Sequence, residues 1–397
     1  MQRHETIKRK VKPILVLIAI PILLSMIFSL CFSEVYVEEI PIAVCDLDGS
    51  QSSADFVERL ASGGGLSAAL HTRNLAEMKE AMMMGAVQAA IVFPDGFGSG
   101  ISAGRGAEAM FLVNGTNFMI SNNALLYASN IFNAANADIR VCSMETGGIV
   151  PTAAERIGGT LSFNDRMLYN PKISYLWFII LGLLAILVQQ TYLAMLSSLL
   201  VYSKERSMML PEIWQRSGAF YANLTKTSAI YACCSIIGVI SSLLAINRWF
   251  EIPLNGGFPG VLALTAVFLL DMTAVSLVIA SFFRDEAHCV QFDMFLAIPT
   301  MLACSYAWPE YMMPPLFAPV MKAVWPLYYY AIPLRDLILK GAGLEMLGSY
   351  LAGGCLFAAF WLPAGAWLYH RSLGAGRESF RENTERTPYI SIGKDVD

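Results

Sequence analysis

The chain has 397 residues, of which 56% are hydrophobic and 15% are charged, and its mean hydropathy is +0.52. Soluble domains carry about 45–50% apolar and about 25% charged residues, so this composition argues against a soluble protein. The net charge of -4 excludes a bulk nucleic-acid-binding protein, which would need a basic face. The histidines are scattered and the cysteines show no C-x-x-C spacing, so a zinc site is not predicted.

Six apolar runs are each long enough to cross a membrane as a helix, which needs about 20 apolar residues. The first, 13–32, follows a basic segment over 1–12 and is too long for the apolar core of a cleavable signal peptide. The basic segment is either an interfacial helix or a topogenic tail. The remaining runs form a predicted transmembrane domain over 172–370, at about 174–201, 227–247, 259–283, 289–308 and 346–369. Polar residues and a proline make the run at 289–308 the weakest.

The distribution of Lys and Arg among short loops predicts the orientation of the spans. Basic residues concentrate in the N-terminal segment, in the 202–226 loop and in a tail over 371–397. The short loops on the opposite side carry fewer, namely Arg248, Lys322, Arg335 and Lys340. We therefore expect a multi-pass protein of the cytoplasmic (inner) membrane with both termini cytoplasmic and residues 33–171 outside.

The segment 33–171 is too long and too regularly patterned for a linker. Its strand-like runs, each closed by a turn signal of Asp or Asn with Gly, are 40–45, 87–93 and 107–113. Its runs of helical spacing are 53–61, 75–84 and 118–141. The fold class predicted from this alternation is an α-helical polytopic membrane protein, with six transmembrane helices and an inserted extracytoplasmic α/β domain.

Two cysteines fall in this predicted domain, Cys45 and Cys142. An oxidising exterior would allow them to form a disulfide, and two buried thiols are the other interpretation. The three glycines at 63–65 loosely match a dinucleotide-binding loop. They follow a predicted helix rather than a strand, so we interpret 63–68 as a flexible loop at the end of that helix.

A short motif after the first strand contains Asp48, Ser50 and Ser52. Carboxylate and hydroxyl oxygens are ligands that divalent cations prefer, so the motif is one candidate cation site. The favoured interpretation is a turn followed by a helix N-cap, because no second acidic cluster completes a site.

Polar residues inside the apolar runs are candidates for a translocation path. Asp271 lies near the middle of the fourth span, where a carboxylate costs about 3 kcal/mol to insert, so it should face the protein interior or a wet cavity. One interpretation places Asp271 on the path with Gln189 and Gln190. The other gives Asp271 a structural hydrogen bond to Gln189, Gln190 or Thr273.

Catalytic and nucleotide-binding motifs are missing from the sequence. It contains no G-x-x-x-x-G-K-[ST], no H-E-x-x-H and no G-x-S-x-G. We therefore expect no enzymatic activity, no cofactor and no metal site in this chain.

One anchor helix, an external α/β domain and five further spans resemble the permease subunit of an ABC-2 type transporter. The likeness is to the drug- and lipid-export branch, which has a large domain after the first helix. The stretches that carry it include Ile42-Ala-Val-Cys-Asp-Leu-Asp-Gly-Ser50, Gly85-Ala-Val-Gln-Ala-Ala-Ile-Val-Phe-Pro-Asp-Gly-Phe97, Phe111-Leu-Val-Asn-Gly115, Tyr169-Asn-Pro171 and the segment 308–341. No single stretch is specific for the family, but the order and spacing of all of them together make the resemblance strong.

The resemblance also identifies a cytoplasmic loop at 203–216. The family's pattern there is roughly E-R-E-x-G-T-x-E, and Glu205, Arg206 and Glu212 match it, although Met209 and Leu210 replace Gly-Thr. With Lys204, these three residues are the contact surface that the resemblance implies for an ATPase.

Several partners follow from the resemblance. It implies an exporter of hydrophobic or amphipathic cargo built from two permease chains, as a homodimer or heterodimer, and two ABC ATPase subunits that bind the ATP. It also allows a periplasmic adaptor on the external domain. The alternative function is a membrane receptor or scaffold whose external domain binds a ligand or periplasmic partner, for which six spans are hard to explain.

Overall fold

The computed structural model describes residues 2–32, 39–103, 107–115, 118–146, 169–170, 174–208 and 218–386. The chain divides into two compact units. The helical unit combines Met1–Ser33 with Leu176–Asp397, and the inserted unit is Glu34–Tyr175. The chain begins in the helical unit with α1 (Gln2–Cys31).

The inserted unit contains a four-stranded sheet with helices on both faces. Its strands are β1 (Ile40–Asp46), β2 (Leu66–Thr72), β3 (Ala89–Phe93) and β4 (Met110–Val113). Their order is β2-β1-β3-β4, with β1 parallel to β2 and β3, and β4 antiparallel to β3. Its helices are α2 (Gln51–Ser62), α3 (Leu75–Met83), α4 (Phe97–Ser102) and α5 (Phe118–Thr146). The predicted alternation of strands and helices is confirmed, with β2 and α4 added.

The two faces of the sheet bury different clusters because successive side chains of a strand point in opposite directions. Ile42 and Val44 of β1 pack with Phe56 of α2 in one cluster. The intervening Ala43 and Cys45 pack with Met78 of α3 in the other. Cys45 is a buried free thiol, and burial raises its pKa, with the charge of Asp46 adding to the effect. The side chain of Cys142 lies outside the described residues.

The interpretation of 63–68 as a flexible loop is wrong, because Leu66 already begins β2. Gly64 has a φ of 73°, a left-handed conformation that glycine adopts without strain, and it turns the chain at the end of α2. The carbonyl of Gly65 then accepts a hydrogen bond from the Ile40 amide at 3.1 Å, which brings β2 beside β1.

Five helices of the described part of the helical unit are long and apolar enough to cross a membrane. The corresponding stretches are Lys12–Cys31, Tyr175–Ser207, Ala219–Phe250, Phe258–Phe282 and Glu345–Gly374. They belong to α1, α6 (Tyr175–Met208), α7 (Ala219–Phe250), α8 (Phe258–Phe282) and α13 (Leu344–Arg386). The structure therefore confirms a largely helical chain of polytopic character.

The fifth predicted span, 289–308, is not one continuous helix. It is replaced by α9 (Glu286–Phe295) and α10 (Ala297–Ala303), which are separated at Leu296. Pro299 has no backbone N–H to donate to the carbonyl one turn earlier, which accounts for the interruption. Ser305 has a φ of 63° just after α10, where the helical path ends.

The segment before the last helix folds back into the helical unit. It contains a short 3₁₀ turn (Glu310–Met312), α11 (Phe317–Val324) and α12 (Tyr328–Lys340). The ring of Tyr330 stacks on Phe268 of α8 with centroids 4.2 Å apart. At the other end of α12, the Asn255 amide donates to the Ile338 carbonyl at 3.0 Å. The helix α12 is therefore a buried element of the bundle rather than a surface loop.

Two pairs of long helices pack at backbone contact through glycines. A Cβ added to Gly238 of α7 would lie 2.7 Å from the Leu17 carbonyl oxygen of α1. One added to Gly365 of α13 would lie 2.8 Å from the Ala274 carbonyl oxygen of α8. Small residues at helix contacts are typical of membrane proteins, in which dispersion forces drive helix association.

Candidate functional site

The last turns of α6 bring one predicted contact residue, Lys204, into the interior of the helical unit. Its side chain is 3% exposed, and Nζ donates to the carbonyl oxygens of Ala280 at 2.6 Å and Ser281 at 3.3 Å. These carbonyls end α8, where backbone oxygens lack partners within the helix and the helix dipole is negative. An ammonium is therefore stabilised there, and Lys204 ties the end of α6 to the end of α8.

The next two residues of α6 face solvent. Glu205 and Arg206 are exposed, and Arg206 donates to the Tyr202 hydroxyl at 3.3 Å. Glu212 lies outside the described residues. Lys204 therefore does not share an exposed surface with Glu205 and Arg206, because α6 continues through all three and turns the lysine inward.

A line of polar contacts attaches α9 and α10 to α6. Ser197 donates to the Asp293 carboxylate at 2.5 Å, Ser198 donates to Glu286 at 2.9 Å, and Gln189 donates to the Thr300 hydroxyl at 3.0 Å. Interhelical hydrogen bonds of this kind hold helices together where water is absent. Asp293, one of the polar residues that weaken the apolar run at 289–308, therefore also attaches this run to α6.

Gln189 and Gln190 both belong to this contact with α9 and α10. The Gln189 side-chain oxygen also accepts from the Trp325 indole at 3.0 Å. Gln190, with its amide oriented to satisfy its neighbours, donates to the Asp293 carbonyl at 2.9 Å. Both glutamines therefore act as structural links between helices.

Asp271 is fully buried on α8. A Cβ added to Gly354 of α13 would lie 3.2 Å from its Oδ2 atom. Neither carboxyl oxygen has a hydrogen-bond partner among the described residues. The alternative of a structural hydrogen bond from Asp271 to Gln189, Gln190 or Thr273 is therefore not seen among the described residues, and Thr273 instead bonds to the Tyr192 hydroxyl at 2.9 Å.

The helical unit also contains a cavity of about 460 Å³ between α6, α7, α8 and α13. Its buried floor includes Tyr192, Leu269 and Tyr369. Its exposed rim includes Thr225 and Ala229 of α7. The volume falls within the range of about 300–1,000 Å³ that is common for small-molecule sites.

Hydroxyl groups interrupt the apolar wall of this cavity. Tyr369 donates to the Leu200 carbonyl at 2.8 Å, which joins α13 to α6. Tyr221 bonds to Nδ1 of His370 at 2.5 Å, which joins the first turn of α7 to α13. The cavity was not predicted from the sequence. The one sequence signal was the hydroxyl residues Tyr221, Thr225 and Ser228, which repeat at helical spacing at the start of α7.

In the inserted unit, the structure supports the favoured interpretation of the motif at Asp48. Its carboxylate accepts hydrogen bonds from the amides of Gly96 at 2.8 Å and Gly98 at 2.9 Å. Ser50 caps α2 by accepting from the Ser53 amide at 3.2 Å. The hydrogen bond from Ser50 and then that from Gly98 lower the pKa of Asp48. The motif is a turn and an N-cap, and no metal-binding cluster occurs among the described residues.

Comparisons with known proteins point to one family. The sequence profile described as ABC-2 family transporter protein matches residues 12–367. The inner membrane transport permease YhhJ of Escherichia coli K12 is 21% identical over 309 residues, which cover 77% of this chain and 79% of that protein. The probable multidrug ABC transporter permease YbhR of the same organism is 20% identical over 336 residues, covering 84% and 87%. The family match spans most of the chain, so the resemblance is confirmed and the chain belongs to the ABC-2 family of transporter proteins.

Proposed function

We propose that this chain is the membrane-embedded permease subunit of an ABC exporter, which moves hydrophobic or amphipathic cargo and is driven by a separate ATPase. Membership in the ABC-2 family implies a partnership with an ABC ATPase subunit. The sequence itself contains no P-loop, which agrees with ATP being bound by a partner. The observation that carries the proposal is the family match over residues 12–367. The bond from Lys204 to the end of α8 supports the coupling of this chain to the ATPase.

This bond supplies a physical route from a surface to the cavity. Glu205 and Arg206, the exposed charges at the end of α6, are the proposed contact for the ATPase. Lys204, one residue earlier, donates hydrogen bonds to carbonyls in the last turn of α8. The same helix contributes Thr273 and Leu277 to the cavity wall. A displacement of the end of α6 would therefore be passed to a wall of the cavity.

The proposed orientation places this end of α6 in the cytoplasm. It requires α9 and α10 to form a sixth, kinked crossing. At a rise of about 1.5 Å per residue, the stretch 286–303 extends about 27 Å, close to the hydrocarbon thickness of about 30 Å. Both termini are then cytoplasmic and residues 33–171 are outside. YhhJ and YbhR are named as permeases, and YhhJ as an inner membrane protein, which supports an inner-membrane location.

The proposed assembly contains a second permease chain and two ATPase subunits, with a periplasmic adaptor as an optional partner of the inserted unit. To test it, the tagged chain would be purified from its own host membranes and associated P-loop ATPases identified. ATP-driven release of an apolar dye would then be measured in vesicles containing the purified complex. Co-purification with ATP-driven dye movement is expected. A chain that binds no ATPase and moves no dye, but binds a ligand through the inserted unit, would support a receptor instead.

A further inference from the structure

The cavity has walls from four helices of a single chain. Its walls come from α6, α7, α8 and α13 of the helical unit, and its floor is closed by Tyr192, Leu269 and Tyr369. These helices are among those long enough to cross a membrane. A molecule in this cavity would therefore be held within the bilayer by a single permease chain.

The lining determines what kind of molecule fits. Each lining side chain that the structure describes is uncharged, and most are aliphatic. An ion placed there would lose its hydration without gaining a countercharge, which is strongly unfavourable. The hydroxyls of Tyr192, Thr225 and Ser228 supply only neutral hydrogen-bonding groups. The cavity is therefore suited to an uncharged, largely apolar molecule that carries few polar atoms.

The rim determines how such a molecule enters. Ala229 on α7, Leu270 on α8 and Ala366 on α13 all line the cavity and are exposed. They lie along the sides of apolar helices rather than at the helix ends, so the opening faces laterally. In a membrane that side is bathed by hydrocarbon, which concentrates apolar molecules.

The lining also shows toward which end of the helices the cavity lies. Leu200 lies toward the C-terminal end of α6, and Tyr221 lies in the first turn of α7, the two helix ends that residues 209–217 connect in the sequence. The bond between Tyr221 and His370 lies at the same end. In the proposed orientation this is the cytoplasmic half of the membrane.

We infer that the cavity is a binding site for an uncharged apolar molecule, which enters sideways from the cytoplasmic leaflet between α7 and α13. The inference deepens the proposed function, on which the role of the site in export rests. Binding itself requires only this chain in a bilayer.

The site can be tested by photolabelling with an adamantyl diazirine, an uncharged apolar probe. The purified chain in lipid nanodiscs would be labelled and the modified residues located by mass spectrometry. We expect labelling of Ser228 and Tyr369 that saturates with probe concentration, against non-saturating labelling of lipid-exposed Leu356 and Phe360. A diazirine that carries a quaternary ammonium group should leave Ser228 and Tyr369 unlabelled.

Two variants fill the opening, and one variant serves as the matched control. Ala229→Trp and Ala366→Trp should each reduce the saturable labelling at least tenfold. Ile237→Trp places the same bulk on an exposed position of α7 that does not line the cavity, and it should change nothing. Equal, non-saturating labelling of cavity and lipid-exposed residues in the unmodified chain would overturn the site.

Efflux by the complete transporter separates this inference from the proposed function. Loss of dye efflux in Ala229→Trp but not in Ile237→Trp would place the site on the export route. Loss of labelling with unchanged efflux would remove the site from that route and leave the proposed function standing. Saturable labelling in a chain that never supports ATP-driven efflux would retain the site and overturn the proposed function.

Discussion

The ammonium of Lys204 lies 2.6 Å from the carbonyl oxygen of Ala280, inside the helical unit and one residue before the exposed Glu205. A charge that sequence reasoning assigns to a loop surface thus acts as the C-terminal cap of a different helix. The position of Lys204 is therefore expected to affect both the stability of the chain and its coupling to the ATPase.

Replacing Lys204 by Met should destabilise the chain by about 1–3 kcal/mol, because the terminal carbonyls of α8 would be left buried and unpaired. Thermal unfolding in detergent would measure the loss, and dye efflux with the ATPase present would fall with it. Lys204→Arg keeps a charged donor and should restore most of both. Lys226→Met removes an exposed ammonium from α7 and is the control. Equal stability of Lys204→Met and Lys226→Met would contradict the assigned role.

Charge reversal at the exposed end of α6 should impair coupling without unfolding the chain. Glu205→Lys and Arg206→Glu each remove a contact worth about 1–3 kcal/mol if it is desolvated against the ATPase, but under about 1 kcal/mol if it stays exposed. Weaker ATPase association, or hydrolysis without efflux, is expected for both. Arg371→Glu changes an exposed charge elsewhere at this end of the bundle and should leave association unchanged. If both variants associate and export like the unmodified protein, the charges are only topogenic.

Cysteine accessibility should show that α9 and α10 together cross the membrane. In a background without the native cysteines, a membrane-impermeant maleimide added outside should label Tyr311→Cys but not His288→Cys. The same reagent should label Ser99→Cys and not Thr387→Cys, since the inserted unit is expected outside and the C-terminal tail inside. Labelling of both His288→Cys and Tyr311→Cys from one side would show that this segment turns back without crossing.

Acidification should loosen the turn held by Asp48. The pKa of Asp48 is lower in the folded chain, so its contribution to stability is complete above its ordinary pKa and is lost as pH falls through the lowered value. Hydrogen exchange of the full chain should show the amides of Gly96 and Gly98 losing protection over that acidic range. Asp48→Asn should show weaker protection at neutral pH and little further change on acidification. A pH response identical to that of the unmodified chain would mean that another group controls the turn.

Asp271 should be dispensable for folding. Its carboxyl group has no hydrogen-bond partner among the described residues, so Asp271→Asn should change the free energy of unfolding by less than about 1 kcal/mol. If Asp271 belongs to the cargo path, efflux should drop at least tenfold in this variant while ATPase association persists. Gln189→Leu is the contrasting change. It breaks bonds to Thr300 and Trp325 and should lower thermal stability first. Unchanged efflux in Asp271→Asn would remove this residue from the path.

Hydropathy identifies the long spans because their apolar stretches exceed what a bilayer requires. It misplaces the start of α7, which begins at Ala219 rather than near 227, since Tyr221, Thr225 and Lys226 give that turn the composition of a loop. Strand β2 is missed for a related reason: the glycines before it have the composition of a loop, and only pairing with β1 defines the strand.

The candidate site could not be derived from sequence patterns, because its parts come from distant positions. The hydroxyls of Tyr192 and Thr273 meet only when α6 packs on α8. The burial of Lys204 likewise depends on where α8 ends. Family resemblance could point to the segment 203–216, yet the burial of Lys204 becomes visible only in three dimensions.

The close contacts at Gly238 and Gly365 divide four helices of the bundle into two tightly packed pairs. α1 with α7, and α8 with α13, are each held at backbone distance, while the cavity opens between the two pairs. Side chains can rearrange within a pair only slightly at such separations, so a change in cavity volume amounts to one rigid pair sliding past the other. Gly238→Val or Gly365→Val would wedge a pair apart and thereby reshape the cavity without altering a single residue that lines it.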